Sequence, residues 1–293
     1  MRRIGAIFTP SFPPEHLRAA ALAAEAAGVP ELWLWEDCFR ESAFAAASAV
    51  LAWTERLRVG IGVAPMPLRN VALTAMEIAT LERMFPGRVI PGVGHGVQSW
   101  MGQVGARAAS PLTLMREYVP ALRALLAGDE VTAAGRYVNL DAVRLDWPPA
   151  TPPAIVAAGE GPKTLRLTGE VADGTVLPAG WSPRRIQEAR RQIAEGRDAA
   201  GRSGDHELIV FAVCAFGDDA RARVATEMTR WDIDADPALM LAGSPAEVAE
   251  GLRSFFEAGA TSVLLQPCLD EPGLEGFMAG VGDVSRLVEA AGE

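Results

Sequence analysis

Short apolar runs alternate along this chain with longer stretches in which apolar residues recur at helical spacing. Arg3–Thr9 (RIGAIFT) is the first such run, ended by Pro10, Pro13 and Pro14. From Glu15 to Ala27 the pattern turns into an alanine-rich helix, which Gly28 closes. Glu31–Trp35 (ELWLW) predicts a second strand and Ser42–Trp53 a second helix. Leu57–Ala64 (LRVGIGVA) is a third strand, and the helix after it runs from Val71 to Phe85 before Pro86-Gly87. Arg88–Val93 predicts strand four, and Ser110-Pro111 an N-cap and first-turn pair for a helix reaching Leu126. Ala154–Ala158, Asp173–Leu177, Glu207–Phe216 and Thr261–Gln266 supply strands five to eight, with helices from Pro162, Pro183 and Asp218 and over Ser244–Ala258.

The rhythm breaks once, at Asp129–Trp147, which predicts a small hairpin outside the main sheet. The proline-rich Trp147–Pro153 (WPPATPP) resembles a linker, but strands resume at once, so it is read as the loop into strand five. Parallel strands require helical crossovers, and a right-handed series of eight closes on itself. The expected fold is therefore an α/β (β/α)8 TIM barrel, one domain over residues 1–293, with a hairpin insertion before strand five. A doubly wound open sheet is the alternative. In a barrel, chemistry sits in the loops that follow the strands.

Composition narrows the partners. A formal net charge of −10, with arginines scattered rather than striped, argues against nucleic acid and anionic membranes. No stretch approaches the ~18 apolar residues of a membrane span, and the N-terminal apolar run is too short for a signal peptide. Cys38, Cys214 and Cys268 form no CxxC or Cys/His cluster and are expected to be small buried residues in a reducing cytoplasm. A small-molecule substrate is expected, and self-association as a homodimer is compatible with all of this.

The strongest chemical signal is Ala157–Thr164 (AAGEGPKT) after strand five. Ala158, Gly159, Glu160 and Gly161 lead through a tight turn to Pro162 at a helix start, where free N–H groups bind anions. Lys163 and Thr164 follow, and Lys163 is the only lysine in the chain. An arginine-biased genome is the plain explanation for that; a point-charge donor for a phosphate is the functional one.

After strand four, Gly92–Gly96 (GVGHG) lacks the third glycine, the helix and the acid of a dinucleotide fingerprint. Gly94 and Gly96 instead suit close backbone approach to a flat ligand, and His95 between them is a candidate acid or base. Glu36 and Asp37 follow strand two. Adjacent acids point in different directions, so one is expected at the mouth and the other as a cap. HExxH, CxxC, Walker and GxSxG patterns are missing, which leaves metal, dithiol, NTPase and serine-hydrolase readings without a motif.

Together these residues resemble the luciferase-like flavin- and deazaflavin-dependent oxidoreductases. The resemblance is carried by Ala72–Gly96 (ALTAMEIATLERMFPGRVIPGVGHG), Ala157–Gly174 (AAGEGPKTLRLTGEVADG), the opening Ile4–Pro10 and the hairpin before strand five. It lies nearest to the branch of methylenetetrahydromethanopterin reductases and other coenzyme F420 enzymes, and it covers nearly the whole chain. It implies F420, or FMN, as cofactor. It also implies a non-proline cis peptide at Gly62-Val63, before Ala64, propping the cofactor ring, and a cofactor phosphate at Gly159–Thr164. Relatives often carry Asp-His where this chain has Glu36-Asp37, and acids where it has Ile7 and Val97. Binding residues carry over better than catalytic ones: Asp37 is expected beside the cofactor, while His95 and Glu36 remain for proton handling. The implied activity is hydride transfer between the cofactor and a small organic substrate. An FMN monooxygenase, a non-catalytic flavin-binding barrel and a sugar-phosphate enzyme are the alternatives.

Overall fold

A computed structural model describes residues 2–234 and 236–291 of the chain. β1 (Arg3–Phe8) leads to α1 (Leu17–Ala26), and β2 (Glu31–Leu34) to α2 (Ala43–Trp53). β3 (Arg58–Ile61) and β4 (Ala64–Pro65) precede α3 (Val71–Met84). β5 (Val89–Ile90) and β6 (Gly92–Gly94) precede α4 (Gln98–Gln103) and α5 (Pro111–Ala127). The predicted hairpin is the antiparallel pair β7 (Val131–Ala134) and β8 (Asn139–Val143). Then come β9 (Val156–Ala158), α6 (Pro162–Val171), β10 (Gly174–Leu177) and α7 (Pro183–Ala199). β11 (Glu207–Phe216), α8 (Ala220–Arg230), β12 (Leu241–Gly243), α9 (Pro245–Glu257), β13 (Ser262–Pro267) and α10 (Leu274–Ala290) complete the order.

The helix starts follow their capping chemistry. Asn70 accepts from the Ala72 N–H at α3, Ser110 from Thr113 N–H at α5, and Ser244 with Glu247 forms a capping box at α9. Gly128, at φ 85°, ends α5 in the left-handed conformation.

Two predicted strands are interrupted. Strand three is split by Gly62 and Val63 into β3 and β4. Strand four is split by Pro91, which has no N–H to offer a ladder, into β5 and β6. Lower halves pair with lower, Val59 with Val89 and Gly60 with Ile90; upper halves pair with upper, Ala64 with Val93 and Pro65 with Gly94. β6 continues to β9, and the path runs on through β10, β11, β13, β1 and β2 back to β3, all parallel. Of the eleven strands in this sheet, β12 is a side branch on β11 and two pairs are halves of interrupted strands, so eight staves close the barrel.

Alternate residues of each stave point inward. Ile7, Trp33, Ile90, Val156, Val176, Ile209, Phe211 and Leu264 fill the interior, while Leu32, Leu34 and their counterparts pack under the helices. At the N-terminal end the buried Glu31 carboxylate receives Arg3 at 2.9 Å, Arg58 at 3.0 Å and the Trp33 indole N–H at 3.0 Å. A cleft of about 650 Å³ also opens at that end, lined by Arg58, Pro86, Pro152 and Glu207 among others. It lies opposite the mouth where barrel chemistry is placed.

Candidate active site

At the mouth, the ends of strands three, four and five form a floor of small residues. The Gly62-Val63 peptide is cis, as the resemblance implied. Gly62 holds its place because a Cβ there would stand 2.9 Å from both Phe211 Cζ and Trp33 Cε3. Across the next strand, a Cβ on Gly94 would stand 2.5 Å from Val63 Cγ2 and 3.5 Å from Ala158 Cβ. β4 pairs with β6 and β6 with β9, with Ala64 opposite Val93 and Pro65 opposite Gly94, so the predicted Val63, Ala64, Gly94 and Ala158 lie within two residues of one another in register on three neighbouring staves. Val63 and Ala158 pack on the barrel interior from above. The residues here are small, with Val63 filling the space over Gly94, and they form a candidate shelf for a flat ligand.

Beside this shelf, α6 begins at Pro162 with Gly161 as N-cap, and no side chain caps it. Leu165 N–H bonds back to the Gly161 carbonyl at 2.9 Å, and Gly161 has open space where a Cβ would be. Gly159 is tighter: a Cβ there would meet Thr168 Cγ2 at 3.2 Å and Thr164 Cγ2 at 3.3 Å. Glu160, Gly161, Pro162 and Lys163 are exposed. An uncapped helix start, a glycine approach and an exposed ammonium next to the shelf meet the requirements of a phosphate site.

Strand two resolves the pair of acids. Trp33 and Trp35 face inward while Leu32 and Leu34 face the helices, so the period of two, carried past the strand end at Leu34, is expected to turn Glu36 outward and Asp37 inward. Glu36 is buried. Its Oε2 accepts the Ala43 N–H at 2.9 Å, capping α2, and Arg69 grips both oxygens, with Nη2 at 3.0 Å from Oε2 and Nη1 on Oε1. These contacts correct the expectation that Glu36 serves the mouth, since both oxygens are engaged outside the barrel wall. Asp37 is half-buried, and burial raises its carboxyl above the usual range while the Arg40 charge opposes the shift. A second cis peptide, Cys38-Phe39, follows directly, and no sequence signal marked it.

His95 sits on a turn in which Gly96 takes φ 65° and the Gln98 amide donates to the His95 carbonyl at 3.3 Å. Its Nε2 is buried without a hydrogen-bond partner among the described residues. Burial lowers its pKa below the ordinary histidine value, opposed by the Pro111 backbone carbonyl.

The mouth also carries an aromatic group, reaching Gly62 through Phe211, that the sequence reading missed. Trp35 stacks on Phe211 with centroids 5.8 Å apart and planes 12° from parallel, and Trp231 meets Trp35 edge-on at 6.4 Å and 82°. The alternation in ELWLW is the signal that could have found Trp35, since it turns that residue to the same face as Trp33. Nothing in the sequence placed Trp231 there, because α8 delivers it from an excursion after strand seven.

The chain is similar to known proteins along most of its length. It is 31% identical over 249 residues to a 5,10-methylenetetrahydromethanopterin reductase of Methanolobus tindarius, covering 84% of this chain and 73% of that protein. It is 27% identical over 302 residues to an F420-dependent glucose-6-phosphate dehydrogenase of Kineococcus radiotolerans, covering 86% and 87%. A solved F420-dependent secondary alcohol dehydrogenase, in complex with an F420-acetone adduct, superposes with TM-score 0.85 at 22% identity, covering 98% and 99%. The sequence model of one family, luciferase-like monooxygenase, spans residues 2–231, and with the barrel and its shelf in place the chain belongs to that family.

Proposed function

We propose that this protein is an oxidoreductase transferring hydride between a deazaflavin, coenzyme F420, and a small organic substrate at the barrel mouth. The observation that carries the reading is the shelf of Val63, Ala64, Gly94 and Ala158 lying against the uncapped start of α6 with Lys163. Gly62, Val63, Ala64, Gly94 and Gly96 would take the ring, and Ala158, Gly159, Glu160, Gly161, Pro162, Lys163 and Thr164 the phosphate side. The cofactor, once bound, supplies the hydride chemistry, and the protein supplies orientation. Asp37 and His95 Nε2 would hold or release a proton, with Asp37 taking the role first assigned to Glu36. The same reading takes the chain as one domain acting in the cytoplasm, alone or as a homodimer. Among the described residues no helix is long and apolar enough to cross a membrane. F420-dependent relatives favour the deazaflavin over FMN.

Titration of the purified protein with each cofactor tests this, following absorbance at about 420 nm for F420 and about 450 nm for FMN. Binding of neither overturns the reading. Preferential FMN binding, with oxygen consumed in step with substrate, moves it to an FMN monooxygenase, which the family description and the apolar wall favour.

A further inference from the structure

At the end of the barrel away from the mouth, charged side chains form a row that does not close. Arg58 on strand three donates through Nη1 to the buried Glu31 of strand two at 3.0 Å. Arg3 of strand one donates to the same oxygen through Nε at 2.9 Å, and its Nη2 reaches Glu207 Oε2 on strand seven. The row Arg58, Glu31, Arg3, Glu207 thus alternates in sign and ends on one cation and one carboxylate. Each end has a single partner in the row, and each leaves 40% of its side chain exposed. Arg58 Nε and Nη2 and Glu207 Oε1 make no hydrogen bond among the described residues.

The gap between those two ends is the cleft of about 650 Å³, whose walls include both. Strands four and five pass between them and supply an apolar floor, Ile90 and Val156, which belong to the barrel interior. The space is that of a small-molecule pocket. Glu82 stands on the same wall and is only 6% exposed. Its Oε1 accepts the Gly87 N–H at 2.6 Å and the Val89 backbone supports the carboxylate, while Oε2 is buried without a hydrogen-bond partner. Burial pushes this carboxyl above its usual range, a cost that an N–H donor in the cleft would offset. Arg83, the other cation on the wall, is committed to the Pro148 carbonyl at 3.0 Å and to the Trp147 ring. The cleft therefore presents one open guanidinium, two carboxylates with an oxygen to spare, and a floor that binds hydrocarbon. A ligand with a single charge meets one end of the row, and a ligand with both charges meets both.

We propose that this cleft binds a small zwitterion, an amino acid with an apolar side chain. Its carboxylate lies on the Arg58 guanidinium, its ammonium on the Glu207 carboxylate with Glu82 as second acceptor, and its side chain over Ile90 and Val156. Bound this way the ligand closes the row of alternating charge with charge-assisted hydrogen bonds at both ends. The cleft is at the opposite end of the barrel from the shelf and the phosphate loop, so the inference stands apart from the proposed cofactor and reaction.

Phenylalanine, phenethylamine and hydrocinnamate share a ring and separate the two charges. Each is titrated by ligand-observed NMR into the full chain, with and without oxidised F420. Phenylalanine binds about tenfold more tightly than either singly charged analogue, the worth of one charge-assisted hydrogen bond at a half-exposed site. Glu207→Gln weakens phenylalanine and phenethylamine by about tenfold and leaves hydrocinnamate unchanged, a split that lost packing does not produce. Glu82→Gln, which keeps an oxygen for the Gly87 N–H, weakens the same two ligands several-fold. Ala154→Trp, at an exposed position on the rim, fills the cleft and abolishes binding of all three. F420 alters none of these affinities. The proposal is overturned by no phenylalanine binding to the unmodified protein, or by either analogue binding as tightly as phenylalanine. It is equally overturned if any of the three variants leaves phenylalanine affinity unchanged, or if F420 displaces phenylalanine, which places it at the mouth.

Discussion

Val63 occupies the space that any side chain on Gly94 would need, its Cγ2 lying 2.5 Å from where a Cβ would stand. The two residues lie on neighbouring staves, where Pro65 pairs with Gly94, and Val63 also packs on the barrel interior, which limits how far its side chain can give way. Gly94→Ala is expected to destabilise the fold by about 1–3 kcal/mol, as overpacking does. It should also weaken cofactor binding more than any substitution on the outer helices. Thermal unfolding and cofactor titration of the one variant check both, and unchanged cofactor affinity refutes the shelf.

Removing Arg69 leaves the buried Glu36 carboxylate without its counter-ion. Arg69→Met is expected to cost roughly 3–5 kcal/mol, and the double variant Arg69→Met, Glu36→Leu to recover much of it. Rate per folded molecule should survive in the double variant, because Glu36 faces α2 rather than the mouth. Denaturant unfolding with single-turnover rates checks this, and a rate loss beyond about 10²-fold reinstates Glu36 as a catalytic group.

Lys163→Ala should weaken cofactor binding by roughly 1.5–3 kcal/mol, the worth of a charged hydrogen bond, with folding intact. Added salt should weaken binding to the unmodified protein and have little effect on the variant. An unchanged dissociation constant for both F420 and FMN retires the phosphate assignment.

Burial lowers the pKa of His95, which favours the neutral imidazole, and its hydrogen bond to the Pro111 carbonyl leaves Nε2 as an acceptor. His95→Ala is expected to cut single-turnover hydride transfer by about 10²–10⁴-fold with cofactor affinity little changed. Measured across pH 5 to 9, the unmodified profile should show an ionisation that the variant lacks. If both profiles coincide, His95 only packs.

His206 is expected to contribute to the acid sensitivity of the fold. It bonds to Thr175 Oγ1 at 2.8 Å, and burial, with the Arg197 and Arg202 charges, lowers its pKa to about 4. The unfolded chain binds a proton here near pH 6.5 while the native state still refuses it. Stability is therefore full above that value and falls as pH drops toward 4, by ~2–3 kcal/mol. His206→Gln should flatten most of this slope in urea unfolding at pH 7 and 4.5, and an unaltered slope assigns it elsewhere.

The alternation of apolar runs and helical stretches was sufficient to read eight staves and the hairpin, because each strand ends at a proline, glycine or cap. Gly159–Thr164 and Gly92–Gly96 were legible because glycine and an N1 proline have few other uses at a strand end. The split of strand four at Pro91 was visible in the sequence but not its consequence, a ladder that pairs in two registers. The roles of Glu36 and Asp37 needed the direction of one side chain, which Arg69, thirty-three residues away, decides. Trp231 depended on where α8 ends in space, and no local pattern encodes that.

The division of the mouth has a bearing on how such a protein diversifies. The proposed cofactor shelf is made by three consecutive staves whose Gly62 and Gly94 leave little space for a Cβ, whereas Trp231 arrives on a segment between β11 and α9 that contributes no stave of its own. Exchange of that segment alters one wall of the chamber and leaves the other untouched. A barrel built this way would change one wall by splicing a peripheral excursion, with the proposed cofactor-holding staves left as they are.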